Sequence, residues 1–181
     1  GVELIRSSTP LFARDKIMGI VKYLFANPDT FNIKELLKMV KELRKEFELA
    51  PIDDISMQSS CSNYNDNVID DLNGVETRTG AHFMVAASAH HNHLLHKNRD
   101  LQTKYDFIKS GTKVKYYYCE SDLHQVFAYV RGSHPVELAP PVDMNLQFAK
   151  AILSPINSII EPLKLPEISV RLTILNDIFN F

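Results

Sequence analysis

The sequence predicts an α+β fold, a mostly helical body with a small antiparallel β element. Three observations predict it. Apolar residues recur at helical spacing over four long stretches, near 10–26, 33–48, 81–97 and 144–163. Two β-rich runs, "TKVKYYYC" and "QVFAYVRG", are joined by "ESDLH", the pattern of an antiparallel hairpin. Hydrophobic residues make up 45% of the 181 and charged residues 23%, a balance that builds a packed core rather than a disordered chain.

The first helix is expected over 10–26. Thr9 is placed to cap it, Pro10 suits its first turn, and Leu11, Ile17, Ile20, Val21 and Leu24 form its apolar stripe. Asn27-Pro28 stops it. A second helix, 33–48, opens on Asn32 with Glu35 three residues on, and buries Ile33, Leu36, Leu37, Val40, Leu43 and Phe47. Lys34, Lys38, Lys41, Arg44 and Lys45 lie mostly off that stripe. They read either as a phosphate-facing surface or, better, as a solvated face balanced by Glu35, Glu42, Glu46 and Glu48. "ISMQSSCS" (55–62) alternates Ile55, Met57, Ser59 and Cys61 on one face and reads as a strand. Residues 63–80 are polar, contain Gly74 and Gly80, and read as a long loop. Residues 81–97 return to helix, with Phe83, Ala86, Ala87, Leu94 and Leu95 toward a core. After the hairpin, "HPVELAPPVD" leads to a last helix. Asp143 caps it, Pro155 kinks it, Pro162 and Pro166 end it, and Phe148, Ile152, Ile156, Ile159, Ile160 and Leu163 bury it.

Bulk properties narrow the function. A net charge of −2 argues against holding nucleic acid by overall charge and leaves a local basic patch open. Cys61 and Cys119 are too few for a disulfide framework and lack metal-site spacing, which fits a reducing cytosol. No apolar run approaches the roughly 18 residues of a membrane span. The start has the wrong charge and apolar order for a signal peptide, and the missing Met fits a fragment or a processed product.

Catalytic signals are weak. In "HHNHLLH", His90 and His93 lie one turn apart, as do His93 and His96, but no HExxH pattern or cysteine pair accompanies them. A polar helix end is the better reading. Asp53-Asp54 and Asp70-Asp71 are adjacent acids, which do not converge as two-metal chemistry requires. No nucleophile elbow, phosphate-binding glycine loop or dinucleotide fingerprint occurs. The residues describe a binding domain rather than a catalyst.

An ordered set of segments carries a family resemblance from Gly1 to Phe181. The start "GVELIRSSTP" and the terminus "LTILNDIFNF", of the "ASLFDMFDF" kind, resemble the thumb of family B replicative DNA polymerases of T-even-type bacteriophages and their marine relatives. Between them, "TRTGAHFMVAASAHHNHLL" resembles that thumb's loop-then-helix, "SGTKVKYYYCE" its "GDKVK" strand and "VDMNLQFAKAILSPINSII" its "DY..QF.K.FL.P" helix. The segment His82-Phe83-Met84 departs from the family, in which an arginine usually follows the histidine. The tail lacks the glutamine of the general clamp-binding peptide.

The resemblance implies a thumb-like, duplex-DNA-binding domain over 1–170 and a clamp-binding peptide over 171–181. It implies primer-template double-stranded DNA, the sliding clamp and a polymerase palm-and-fingers portion as partners, in the cytoplasm of a bacterial host, with no membrane role. Palm, fingers and exonuclease sequences are missing, so no catalytic residue and no metal site is expected in this chain. Magnesium belongs to the missing palm, and the chain alone should incorporate no nucleotide. Duplex contacts are implied at Ser7, Ser8 and Thr9, at Ser62, Asn63 and Tyr64, and at Arg78 and Thr79, small polar groups and one arginine suited to a backbone rather than to bases. Thr9 has the alternative of only capping its helix, and Asn63 of only turning the chain. Leu175, Ile178, Phe179 and Phe181 would form the clamp hook, with Leu172 and Ile174 packed on the body. The alternative is a free-standing protein-interaction domain with a self-packed tail and no DNA role.

Overall fold

A computed structural model describes residues 5–122 and 124–174. The fold is α+β. In chain order the elements are α1 (Leu11–Ala26), α2 (Ile33–Leu49), α3 (Ile52–Ile55), β1 (Met57–Ser60), α4 (Tyr64–Asn67), β2 (Val68–Asp71), β3 (Gly74–Thr77) and α5 (Phe83–Lys97). A 3-10 turn at Arg99–Thr103 follows, then β4 (Lys113–Tyr118), β5 (Val126–Val130) and α6 (Met144–Phe148). A π-helical segment, Ala149–Leu153, joins α6 to α7 (Ser154–Ile160); a 3-10 turn, Glu161–Leu163, precedes α8 (Val170–Ile174). Contacts divide the chain into two compact units, one from residues up to 55 together with 144 onward, the other from 56–143.

In the first unit α1 packs against α2, α3 and α7, while α2 also meets α6 and α8. Ile17, Ile20, Leu36, Val40, Phe47, Phe148, Ile152 and Ile156 fill its core. Phe47 meets Phe12 and Phe148 edge-to-face at 5.9 and 5.2 Å, the arrangement that aromatic quadrupoles favour. The α2 cap is as the sequence predicts: the Glu35 N–H donates to Asn32 Oδ1 at 3.0 Å. The α1 cap is not. Pro10 occupies the cap position without a side-chain bond, and Thr9 lies before it. Leu11 is left 53% exposed, outside the stripe expected to bury it. Arg44, expected in solvent, is buried. It donates to Glu48 and Asn145, both at 2.7 Å, and lies 5.1 Å from the Phe148 ring centroid.

The expected kink at Pro155 takes the form of the π-helical segment. Proline has no N–H for the carbonyl four residues back, and its ring crowds that carbonyl at Ala151, so the preceding turn widens. Leu163 falls in the following 3-10 turn and is 49% exposed rather than buried. In α8, Thr173 is the buried residue; Leu172 and Ile174, expected on the body, are exposed.

The second unit holds an antiparallel sheet in the order β1-β4-β5, with Ser60 opposite Lys113 and Val114 opposite Val130. Helix α5 packs on β5 and on a separate hairpin, β2–β3. The core is Cys61, Tyr64, Val68, Met84, Val85, Ile108, Val114, Val126 and their neighbours. Strand β1 begins at Met57, because Ile55 completes the short turn of α3. The stretch 63–80 is not a loop: it contains α4 and the β2–β3 hairpin, turned through Asn73 and a positive-φ Gly74. On α5 the buried face is Met84, Val85, Ala87, Ser88, His91, Asn92 and Leu95, and Phe83 is largely exposed. Among the described residues no helix is long and apolar enough to cross a membrane.

Candidate functional site

The pairing of β1 with β4 sets the site in the second unit. It brings the chain leaving β1 alongside the chain entering β4. The Cys61 N–H donates to Thr112 O at 3.0 Å, and the Gly111 N–H donates to Cys61 O at 2.6 Å. Gly111 adopts φ +87°, a turn that a residue with a Cβ would strain. Asn63 is left-handed at φ 57° and begins α4, whose first N–H, on Tyr64, donates to Ser110 Oγ at 2.9 Å. The Lys109 N–H donates to Thr112 Oγ1 at 3.0 Å. Lys113 Nζ donates to Ser60 Oγ at 3.3 Å. The outward side chains of this edge are Ser62, Asn63, Lys109, Ser110 and Lys113, all exposed.

Arg78 is linked to the same edge by two hydrogen bonds, and Thr79 follows it in the chain. The Arg78 N–H donates to Asn67 O at 2.8 Å, and Asn67 Nδ2 donates to Asn63 O at 2.9 Å. Both Arg78 and Thr79 are exposed. The acids of this region are Asp66, Asp70, Asp71 and Glu76, on α4 and the hairpin, and Asp106, which lines a cavity with Lys109 and Thr112. The stretch of the edge with two cations and no acid is Lys109–Lys113, the entry to β4. Lys109 and Lys113 were not among the contacts expected from sequence. The available signal was their flanking of Ser110-Gly111-Thr112, but nothing local ties that turn to Ser62.

Tyr64 stands behind the edge, not on it. Its ring is buried; its hydroxyl donates to Asp70 Oδ2 at 3.0 Å and accepts from Asn92 Nδ2 at 2.8 Å. Burial, with smaller contributions from Asp70 and Cys61, pushes the phenol well above its usual range; the Asn92 bond opposes this. Asn92 in turn exchanges two 2.8 Å bonds with the backbone of Ile108, and His96 Nε2 lies 2.8 Å from Asp70 Oδ1. The network fixes α4 and the hairpin against α5.

Ser7, Ser8 and Thr9 belong to the first unit. Arg14 donates to Ser7 O at 2.7 Å and to Thr9 O at 3.2 Å, so a guanidinium lies across the approach to α1. Ser7 is exposed, Ser8 half-buried and Thr9 buried. Leu175, Ile178, Phe179 and Phe181 lie outside the described residues.

The histidines of "HHNHLLH" disperse rather than converge. His90 stacks on His124 with centroids 3.8 Å apart, beside a cavity of about 200 Å³ that Cys119, Ser121 and Glu137 also line. Burial first, and then His124, His93 and His91, lower the His90 pKa to about 4. His91 is buried, its Nδ1 3.2 Å from Asn92 Oδ1 and its Nε2 unpartnered among the described residues. His96 turns to Asp70. Among the described residues no three histidine, cysteine or acidic side chains are grouped to hold a metal ion.

No family model matches this chain, and no curated protein matches its sequence.

Proposed function

We propose that this chain is the thumb portion of a bacteriophage family B DNA polymerase, gripping primer-template duplex and tethered by its terminal peptide to the sliding clamp in the host cytoplasm. The observation that carries the reading is the polar edge of the second unit. Ser62, Asn63, Arg78 and Thr79, implied as duplex contacts by the resemblance, lie on segments that hydrogen bonds join to one another and to the turn bearing Lys109 and Lys113. Small hydroxyls and amides with interspersed cations suit phosphate oxygens and sugars. Such contacts fix a duplex in register without reading its bases. The chain contributes grip; chemistry and magnesium belong to the palm that another segment would supply.

Duplex binding by the 181-residue chain, followed by fluorescence anisotropy over a salt series, tests this. Binding should weaken steeply with salt and be indifferent to sequence. Lys113→Ala and Arg78→Ala should each lower affinity equally for all sequences and reduce the magnitude of the log–log salt slope by about 1. Absence of duplex binding at low salt, or an unchanged slope in both variants, would favour the protein-interaction domain instead.

A further inference from the structure

Helix α1 carries an uncovered stripe that is self-complementary. Leu11, Met18 and Phe25 are 53%, 37% and 71% exposed. They are seven residues apart, a spacing that drifts by only about 20° per step around a helix, so they share one face. Asp15 and Lys22 alternate with them on one flank. Both are exposed, and neither has an ion-pair partner among the described residues. The cation nearest the opposite flank, Arg14, is turned back onto the carbonyls of Ser7 and Thr9.

The order along the stripe is Leu11, Asp15, Met18, Lys22, Phe25. Turned end over end, it exchanges Leu11 with Phe25 and Asp15 with Lys22, and keeps Met18 in place. At 1.5 Å per residue, Leu11 and Phe25 lie about 10.5 Å either side of Met18, and Asp15 and Lys22 about 4.5 and 6 Å. We infer that α1 pairs antiparallel with α1 of a second copy of this chain, about a two-fold axis passing between the two Met18 side chains. Each Leu11 then meets the other copy's Phe25, and each Asp15 falls beside the other copy's Lys22 on the same flank. A parallel pairing is disfavoured because it carries the Asp15–Lys22 flanks of the two copies to opposite sides of the seam, where neither residue meets its opposite charge. The match of the stripe to its own reverse selects a second copy over an unrelated partner, since closed two-fold interfaces require a surface complementary to itself. One helix pair is smaller than a standard stable interface, so the dimer is weak and concentration-dependent. Its exposed ion pairs make it weaker in high salt. The inference does not depend on the polymerase reading.

Sedimentation equilibrium of the 181-residue chain, from micromolar to millimolar, tests it. A reversible monomer–dimer equilibrium is expected. Asp15→Lys and Lys22→Asp should each weaken dimerisation about tenfold, because each change replaces two attractions by two repulsions. The double variant D15K/K22D restores both pairs and should return to within about threefold of the parent. Met18→Glu, which sets two carboxylates at the axis, should leave monomer only. All three positions are exposed, and unchanged melting curves will show that the fold is intact. Monomer at every concentration in the parent overturns the inference. So does a double variant no better than either single one, or a Met18→Glu chain that dimerises like the parent.

Discussion

Two side chains in the second unit work in ways their identities alone do not reveal. Tyr64 has the look of a surface aromatic in a polar stretch, yet its hydroxyl sits between Asp70 and Asn92. Tyr64→Phe should lower stability by about 1 kcal/mol, the worth of an ordinary hydrogen bond, and shift Tm down by about 2–4 °C while leaving the salt slope of duplex binding unchanged. Asn92→Ala should cost more, about 3 kcal/mol, because it strands both the N–H and the C=O of buried Ile108. Thermal unfolding compares the two directly. The second side chain is His90, whose pKa drops to about 4 in the folded state from an ordinary 6.5. Below pH 6.5 the unfolded chain takes up a proton that the folded chain refuses, so the unfolded state binds more protons and stability rises with pH. The chain should lose stability progressively as pH falls from about 6.5 toward 4. His91, lowered in the same direction by burial, adds to the loss. His90→Gln should flatten this dependence; an unchanged Tm-against-pH curve in that variant would show that the His90–His124 stack does not govern it.

At the scale of elements, the turn into β4 determines whether the edge exists. Gly111 at φ +87° lets its N–H reach Cys61 O and so holds the Lys109–Lys113 segment against Ser62. A Cβ there meets no atom within 4 Å, so the penalty of Gly111→Ala is backbone strain alone, about 1–2 kcal/mol. That variant should melt roughly 2–8 °C lower and bind duplex more weakly than Gly74→Ala. Gly74 shares the positive φ and the open space around a Cβ, but it turns the β2–β3 hairpin rather than the entry to β4. Comparing the two separates general strain from loss of the edge. The helices were legible where one face is buried and the other wet: α2, with its Asn32 cap and apolar stripe, is where the pattern puts it. The β2–β3 hairpin was missed because its strands are four residues each and largely exposed, giving no apolar alternation. The Asn73-Gly74 turn was its one local signal.

For the whole molecule, the chain leaves the first unit at residue 55, completes the second, and returns at residue 144. The second unit has its own sheet, helix and core, so residues 56–143 expressed alone should keep a cooperative melting transition and the salt-dependent duplex binding. A non-cooperative melt would show that its stability is borrowed. The chain's last seven residues contain the expected hook. Deleting 175–181 should leave Tm within about 2 °C, as for surface changes, and should remove clamp binding measured by surface plasmon resonance. A clear fall in Tm with clamp binding retained would point instead to a tail packed on its own body.

The α+β class, the central hairpin, the long helices and the break at Pro155 are all readable from the chain before it folds. Each follows from local chemistry: apolar periodicity, β-branched and aromatic runs, a capping asparagine, a missing N–H. The sequence also indicated Ser62, Asn63, Arg78 and Thr79, through resemblance rather than through physics. It took the packed fold to establish that Tyr64 is a brace, that Arg44 is buried beside Phe148, and that Leu11 faces outward. Only that fold joined Lys109 and Lys113 to the segment carrying Ser62 and Asn63. That junction depends on strand register, Ser60 opposite Lys113, and on hydrogen bonds spanning some fifty residues of chain. Such pairings are set by which faces bury each other, a property of the assembled core that no short window of sequence contains.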